Sequence, residues 1–186
     1  MPCLLENQQR KMRKTFKLTT KLMNKIKLKS FFLNFLILIT IFFIDRISKF
    51  YILKLAEAEN SVDIYITSYL NLFLIWNKGV AFGLLSVDES LVYNIVTTII
   101  VIIVLIILLM ITRSEGLEKY ALLCVFGGAI GNLFDRFYYS AVPDFIDFHI
   151  AGFHWFIFNI ADIFITLGVI CLIYVEIFTH KTKNEK

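Results

Sequence analysis

From Ser90 to Thr112 the chain carries no charged residue, and the string "IVTTIIVIIVLIILLMIT" within that stretch has no polar face. A helix rises about 1.5 Å per residue, so a run of this length crosses a hydrocarbon layer of about 30 Å. A helix that is apolar all round belongs in lipid. Strands do not fit, because the strands of a membrane barrel alternate polar and apolar residues. The remaining apolar residues, in a chain that is 58% hydrophobic, are also gathered into runs of spanning length. The sequence is that of an integral membrane protein.

Four helices are expected, over Phe31–Leu53, Leu91–Thr112, Tyr120–Tyr139 and Trp155–Phe178. Two of them lack enough uncharged residues for a full span. The first reaches Ile44 before Asp45 and Arg46, and the third reaches Phe134 before Asp135 and Arg136. Both must therefore hold ionisable groups in or at the edge of the bilayer. The expected fold class is all-α integral membrane: a four-transmembrane-helix bundle with a small extracytoplasmic β-like element between the first two helices. Residues 1–30 read as a basic, disordered cytoplasmic tail held near anionic lipid. Residues 31–180 form the membrane domain, and 181–186 a short cytoplasmic tail. Asp45, Arg46 and Lys49 separate the first apolar stretch from "AEA" at 56–58, so the first helix reads as a retained anchor and not a cleaved signal peptide.

Orientation follows from the basic residues. Nine Lys and Arg between Arg10 and Lys29 precede the first helix, Arg113 and Lys119 lie between the second and third, and Lys181, Lys183 and Lys186 follow the fourth. Lys78 is the single basic residue of 56–92, and 137–154 has none. The positive-inside rule puts both termini and the middle loop in the cytoplasm and both long loops outside. The net charge of +4 expresses this asymmetry, so no nucleic-acid partner is expected. Three cysteines form neither a disulfide framework nor a metal-ligand spacing. No cofactor motif is present, and neither metal nor cofactor is expected.

The polar groups converge on the outer side. Asp45, Ser48 and Lys49 lie toward the outer end of the first helix, Asn77 and Gly79 in the first outer loop, and Asn132, Asp135 and Arg136 at the outer end of the third helix. Asp144 and Asp147 lie in the second outer loop, and Asn159 and Asp162 in the first turns of the fourth helix. Several have plain structural readings. Asp45 and Lys49 have the spacing and order of a helical ion pair. Gly127 and Gly131 form a G-x-x-x-G packing motif. Asn159 suits a helix entrance, and Asp135 and Asp147 read as solvated carboxylates. Trp76 and Trp155 read as interfacial anchors. His149, His154 and His180 read as loop or tail residues. Asp162 resists such an account: it sits inside an apolar helix with no basic residue nearby in sequence, and such carboxylates face cavities and do work. Pro143 fixes an extended entry to Asp144. If Asp144 and Asp162 meet, they share one proton. The ionised member then activates water while the protonated member donates to a carbonyl oxygen.

The ordered strings "DRISK" (45–49), "NKGVAFG" (77–83), "GGAIGNLFDR" (127–136), "VPDFIDF" (142–148) and "FNIAD" (158–162) resemble the lipoprotein signal peptidase, or signal peptidase II, family. The resemblance implies an aspartic endopeptidase that removes signal peptides from diacylglyceryl-modified prolipoproteins in the bacterial cell membrane, cutting N-terminal to the modified cysteine. It implies Asp144 and Asp162 as the catalytic dyad. Asn77, Gly79, Asn132, Arg136 and Asn159 would hold substrate or support the dyad, with Asp45 and Lys49 as structural support. Asp135 is the rival carboxylate, and the resemblance makes it architectural. Pro143 stands where the family commonly has an aliphatic residue, and the basic N-terminal stretch is longer than usual. Two other readings compete. A transporter would spread ionisable groups through the bilayer depth, and a scaffold would need the glycines but not the aspartates. No H-E-x-x-H zinc motif is present.

Overall fold

The computed structural model describes residues 2–79, 89–150 and 153–184. The order of elements is α1 (Pro2–Glu59), β1 (Asp63–Thr67), β2 (Leu70–Asn77), α2 (Glu89–Arg113), α3 (Gly116–Tyr139), β3 (Val142–Ile150), β4 (Phe153–Phe158) and α4 (Ile160–Asn184). The chain divides into two compact units, Met1–Leu36 and Ile37–Lys186. In the first unit, the stretch expected to be a disordered tail is helical instead, as the first part of α1. Its composition explains this. After Pro2, which suits the first position of a helix, it holds neither Gly nor Pro and is rich in Leu, Lys, Arg, Gln and Met.

The second unit holds the rest of α1 and every other element. Among the described residues, four helical segments are long and apolar enough to cross a membrane: Leu28–Glu59, Ser90–Arg113, Gly116–Tyr139 and Ile160–Phe178. The first of these begins in the first unit. Large apolar side chains of α2 such as Ile95, Ile102, Ile106 and Leu109 remain about half exposed in the folded chain, as side chains facing lipid do. One cluster of buried residues, Ile111, Leu122 and Leu123, ties α2 to α3, with Ile37 and Leu38 of α1 and Leu172 of α4 packed on it.

The sheet differs from expectation. It has four antiparallel strands in the order β1-β2-β3-β4, so half of it comes from the second long loop, not from the connection between the first two helices alone. The fourth helix accordingly starts at Ile160 and not Trp155, because Phe153–Phe158 is strand β4. Continuous aromatic and aliphatic residues hide a strand that runs directly into a helix. Pro143 is tolerated in β3 because it lies opposite Trp76 of β2, beyond the end of the β4 pairing, which begins at Ile146. Ile52 of α1, Val62 and Phe145 of β3 form a small core beneath the sheet, with Ile160 of α4 against it.

Glycines set the helix spacing. A Cβ on Gly127 would lie 3.0 Å from Ile41, and one on Gly131 would lie 2.8 Å from Asp45, so the G-x-x-x-G face receives α1. A Cβ on Gly128 would lie 2.4 Å from the Ala161 carbonyl oxygen, and one on Gly168 would lie 2.7 Å from that of Ala121. These two glycines bring α3 and α4 to backbone contact. Gly128→Ala is therefore expected to lower stability in detergent by about 1–3 kcal/mol, the cost of overpacking against a backbone that cannot rotate away. Leu109→Ala on the lipid-facing side of α2 should stay within about 0.5 kcal/mol. Thermal unfolding of both variants checks this, and an unshifted midpoint for Gly128→Ala contradicts the close packing.

Candidate active site

The first turn of α4 builds one side of the site. Asn159 precedes the helix, and its Oδ1 accepts the Asp162 N–H at 3.2 Å. Asp162 returns the bond, with Oδ2 accepting the Asn159 N–H at 3.0 Å. This reciprocal cap satisfies two backbone donors that the start of a helix leaves open. It also holds the Asp162 carboxylate at the positive end of the helix dipole. The other oxygen of Asp162 accepts from Asn132 Nδ2 of α3 at 2.7 Å.

Asp144 approaches from β3 and is 1% exposed. Its Oδ1 accepts from Asn159 Nδ2 at 2.6 Å and its Oδ2 from Asn77 Nδ2 at 2.8 Å. Asn159, fully buried, thus bonds both aspartates, one through its side-chain amide and one through its backbone and carbonyl oxygen. Burial pushes the Asp144 carboxyl up to about 6. The amides of Asn77 and Asn159 oppose that rise, the Asp162 charge adds to it, and Lys49 opposes it. Asp144 and Asp162 line one cavity of about 210 Å³ together with Asn77, Asn132, Arg136, Val142 and the apolar Ile100, Ala129 and Ile165.

Behind this cavity lies a charge cluster. Lys49, 1% exposed, donates to Asp135 at 2.6 Å, to Asn132 Oδ1 at 2.9 Å and to Asp45. Arg46 donates two bonds to Asp135, of 2.5 and 2.8 Å, and two to Asp45, of 2.6 and 3.2 Å. The remaining Asp45 oxygen accepts the Ala161 N–H of α4 at 3.1 Å. Two cations thus face two carboxylates, and each charge is multiply bonded. Removing one partner from such a buried set typically costs about 3–5 kcal/mol.

The expected ion pair between Asp45 and Lys49 is present, at 2.9 Å. Two expectations require correction. Asp135 is not solvated but 0% exposed, because Arg46 and Lys49 neutralise it inside the bundle. Asp147 is 3% exposed, because the β3–β4 pairing folds His149 and His154 over it. Those two histidines sit on paired strands and not in a loop. Val80–Gly83 of the "NKGVAFG" string lie outside the described residues. Gly79 is described: its φ of +78° is a left-handed conformation, and a Cβ there would lie 2.7 Å from Arg136 Nη2. Its N–H donates to Asn77 Oδ1 at 2.7 Å. Arg136 is 8% exposed, and its Nη1 has no acceptor among the described residues.

Two contributors went unrecognised in the sequence. Arg46 was readable in principle, since an arginine within a span needs a partner. Tyr93 was not, because its hydroxyl donates to the Arg136 carbonyl at 2.7 Å across two helices, and its ring lies 5.5 Å from that guanidinium.

Residues 37–178 match the family described as signal peptidase (SPase) II. The lipoprotein signal peptidase of Pelagibacter ubique (strain HTCC1062) is 58% identical over 165 residues, covering 88% of this chain and 99% of that protein. That of Anaplasma phagocytophilum (strain HZ) is 37% identical, covering 82% and 96%. A solved bacterial membrane enzyme superposes with a TM-score of 0.60 at 29% identity, covering 82% of this chain and 91% of that one. With four apolar helices of spanning length and matches that run through the site, the chain is a multi-pass bacterial membrane protein belonging to the signal peptidase II family of peptidases.

Proposed function

We propose that this protein is an intramembrane aspartic endopeptidase that removes signal peptides from diacylglyceryl-modified prolipoproteins, cutting N-terminal to the modified cysteine. The observation that carries the reading is that Asp144 and Asp162 line one cavity and are joined by Asn159. In this reading Asp144 holds the shared proton and Asp162, at the helix N-terminus, is ionised. Asp162 takes a proton from water as the water oxygen attacks the scissile carbonyl carbon. Asp144 gives its proton to the carbonyl oxygen, and a tetrahedral diol forms. On collapse the proton on Asp162 passes to the leaving nitrogen, Asp144 recovers a proton from a diol hydroxyl, and the C–N bond breaks. The open Nη1 of Arg136 is offered to a substrate carbonyl, and Asn132 and Asn159 keep the dyad in place. Asp45, Lys49 and Asp135 support it from behind.

The distribution of Lys and Arg supports cytoplasmic termini, with the site toward the extracytoplasmic face. Substrates anchored by acyl chains are confined to the same plane as the cavity, whose apolar residues Ile100, Ala129, Val142 and Ile165 suit a hydrophobic segment.

The test is cleavage of a purified diacylglyceryl-modified prolipoprotein, with product masses locating the cut. Asp144→Asn and Asp162→Asn, each confirmed to be folded, are expected to lower kcat by about 100- to 10,000-fold, the usual worth of a positioned acid or base. Wild-type cleavage should persist in EDTA. Near-normal cleavage by both variants would refute the dyad.

A second expectation concerns pH. Loss of the Asp144 proton removes the acid, so kcat/KM should fall as pH rises through about 6. The Asn77 amide favours the ionised form of Asp144, so Asn77→Ala should move that alkaline limb to higher pH. A limb that stays in place or moves down contradicts the assignment.

A further inference from the structure

On the opposite face of β3 from Asp144, three side chains with metal-binding atoms converge, and the proposed peptidase chemistry uses none of them. Side chains alternate along a strand, so Asp144 and Asp147 point to opposite faces while Asp147 and His149 share one. A one-residue shift in the β3–β4 pairing after Phe148 sets His154 directly opposite His149 and therefore on that same face. The imidazoles stack with centroids 4.9 Å apart. His154 Nδ1 lies 2.8 Å from Asp147 Oδ2, and His149 Nδ1 lies 3.7 Å from the same oxygen. One ligand atom from each of the three residues falls within 4.8 Å of the others.

Two further observations point to a ligand. Asp147 is a buried carboxylate flanked by these two imidazoles. His149 Nδ1 is buried and has no hydrogen-bond partner among the described residues. It is left over whichever tautomer the ring adopts, as a donor without an acceptor or a lone pair without a donor. A cation bound to that lone pair resolves both. Bonds of about 2.0–2.2 Å in tetrahedral geometry set ligand atoms about 3.4 Å apart, a spacing these atoms reach by small side-chain adjustments.

We propose that Asp147, His149 and His154 form a site for a zinc-class divalent cation. Two imidazoles and a carboxylate favour zinc and neighbouring late first-row ions over calcium or magnesium, which prefer oxygen ligands throughout. Three protein ligands leave a fourth position for water. The ion clips β3 to β4. Those strands carry Asp144 and lead into Asn159 and Asp162, so the metal stabilises the hairpin that brings the dyad together without entering the dyad's chemistry. Cleavage in EDTA therefore persists below the unfolding temperature of the metal-free protein.

The test uses the full chain in detergent, purified without a histidine tag and stripped with EDTA. Titration with Co²⁺ alone should give visible d–d absorption of tetrahedral intensity saturating at one equivalent, and Zn²⁺ should displace it and raise the thermal unfolding midpoint. His154→Ala and His149→Ala should each weaken binding by more than the 10- to 100-fold typical of losing a mere outer-shell partner. His154 is the more exposed of the two, so its variant decides the matter should His149→Ala fail to fold. The proposal is overturned if the wild-type protein binds neither ion at one equivalent, or if folded His154→Ala binds as the wild type does.

Discussion

Asp45 is the point on which the rest of the structure hangs. It is a carboxylate in a membrane-spanning helix, 1% exposed, and its two oxygens accept from both α1 and α4. One oxygen accepts the backbone N–H of Ala161 in the first turn of α4, and the other accepts from Arg46, while Lys49 reaches the same carboxylate. Arg46 and Lys49 both extend to Asp135 of α3. Charges buried in lipid are tolerable only when paired and fully hydrogen-bonded, so this arrangement holds α1, α3 and α4 in one relative placement. Gly131 makes it possible, because any side chain there would strike Asp45.

A chain of bonds carries that placement to Asp162 and Asp144. Lys49 donates to Asn132 Oδ1, and the amide of Asn132 donates in turn to Asp162. Asn159 completes the link by capping α4 through Asp162 and reaching across to Asp144. The two aspartates therefore differ in support. Asp162 is set by helix geometry and the buried charge cluster, whereas Asp144 is set by strand pairing and two amides. That difference underlies their opposite proposed roles, with the member at a helix N-terminus ionised and the member buried on a strand protonated.

The four helices were legible because uncharged runs of spanning length leave a chain few choices. Asp162 was legible because a carboxylate inside an apolar helix is costly where it stands, whereas Asn77, Asn132, Arg136 and Asn159 were legible through the resemblance of the motifs that carry them. Strand β4 was not: the residues before Asn159 are aromatic and aliphatic without a break, and although Asn159 itself suits a helix entrance, apolar periodicity does not separate a short buried strand from the start of a helix. Missing β4 hid the environment of Asp147. Its burial depends on a register shift between two strands, a non-local property, and the same shift turns two apparent loop histidines into its neighbours. Tyr93 was likewise hidden because its partner lies on another helix. The helical course of residues 2–30 was a different matter: high polarity suggested disorder, while helix propensity without Gly or Pro after Pro2 pointed the other way.

The central claim is that the two aspartates share one proton and that Asp144 carries it. Infrared difference spectroscopy across a pH titration reads this directly, since a protonated carboxyl group absorbs apart from a carboxylate. The account predicts a protonated-carboxyl signal that titrates with a midpoint of about 6 and is absent from Asp144→Asn. A signal unchanged in Asp144→Asn, or no protonated carboxyl in that range, would contradict it.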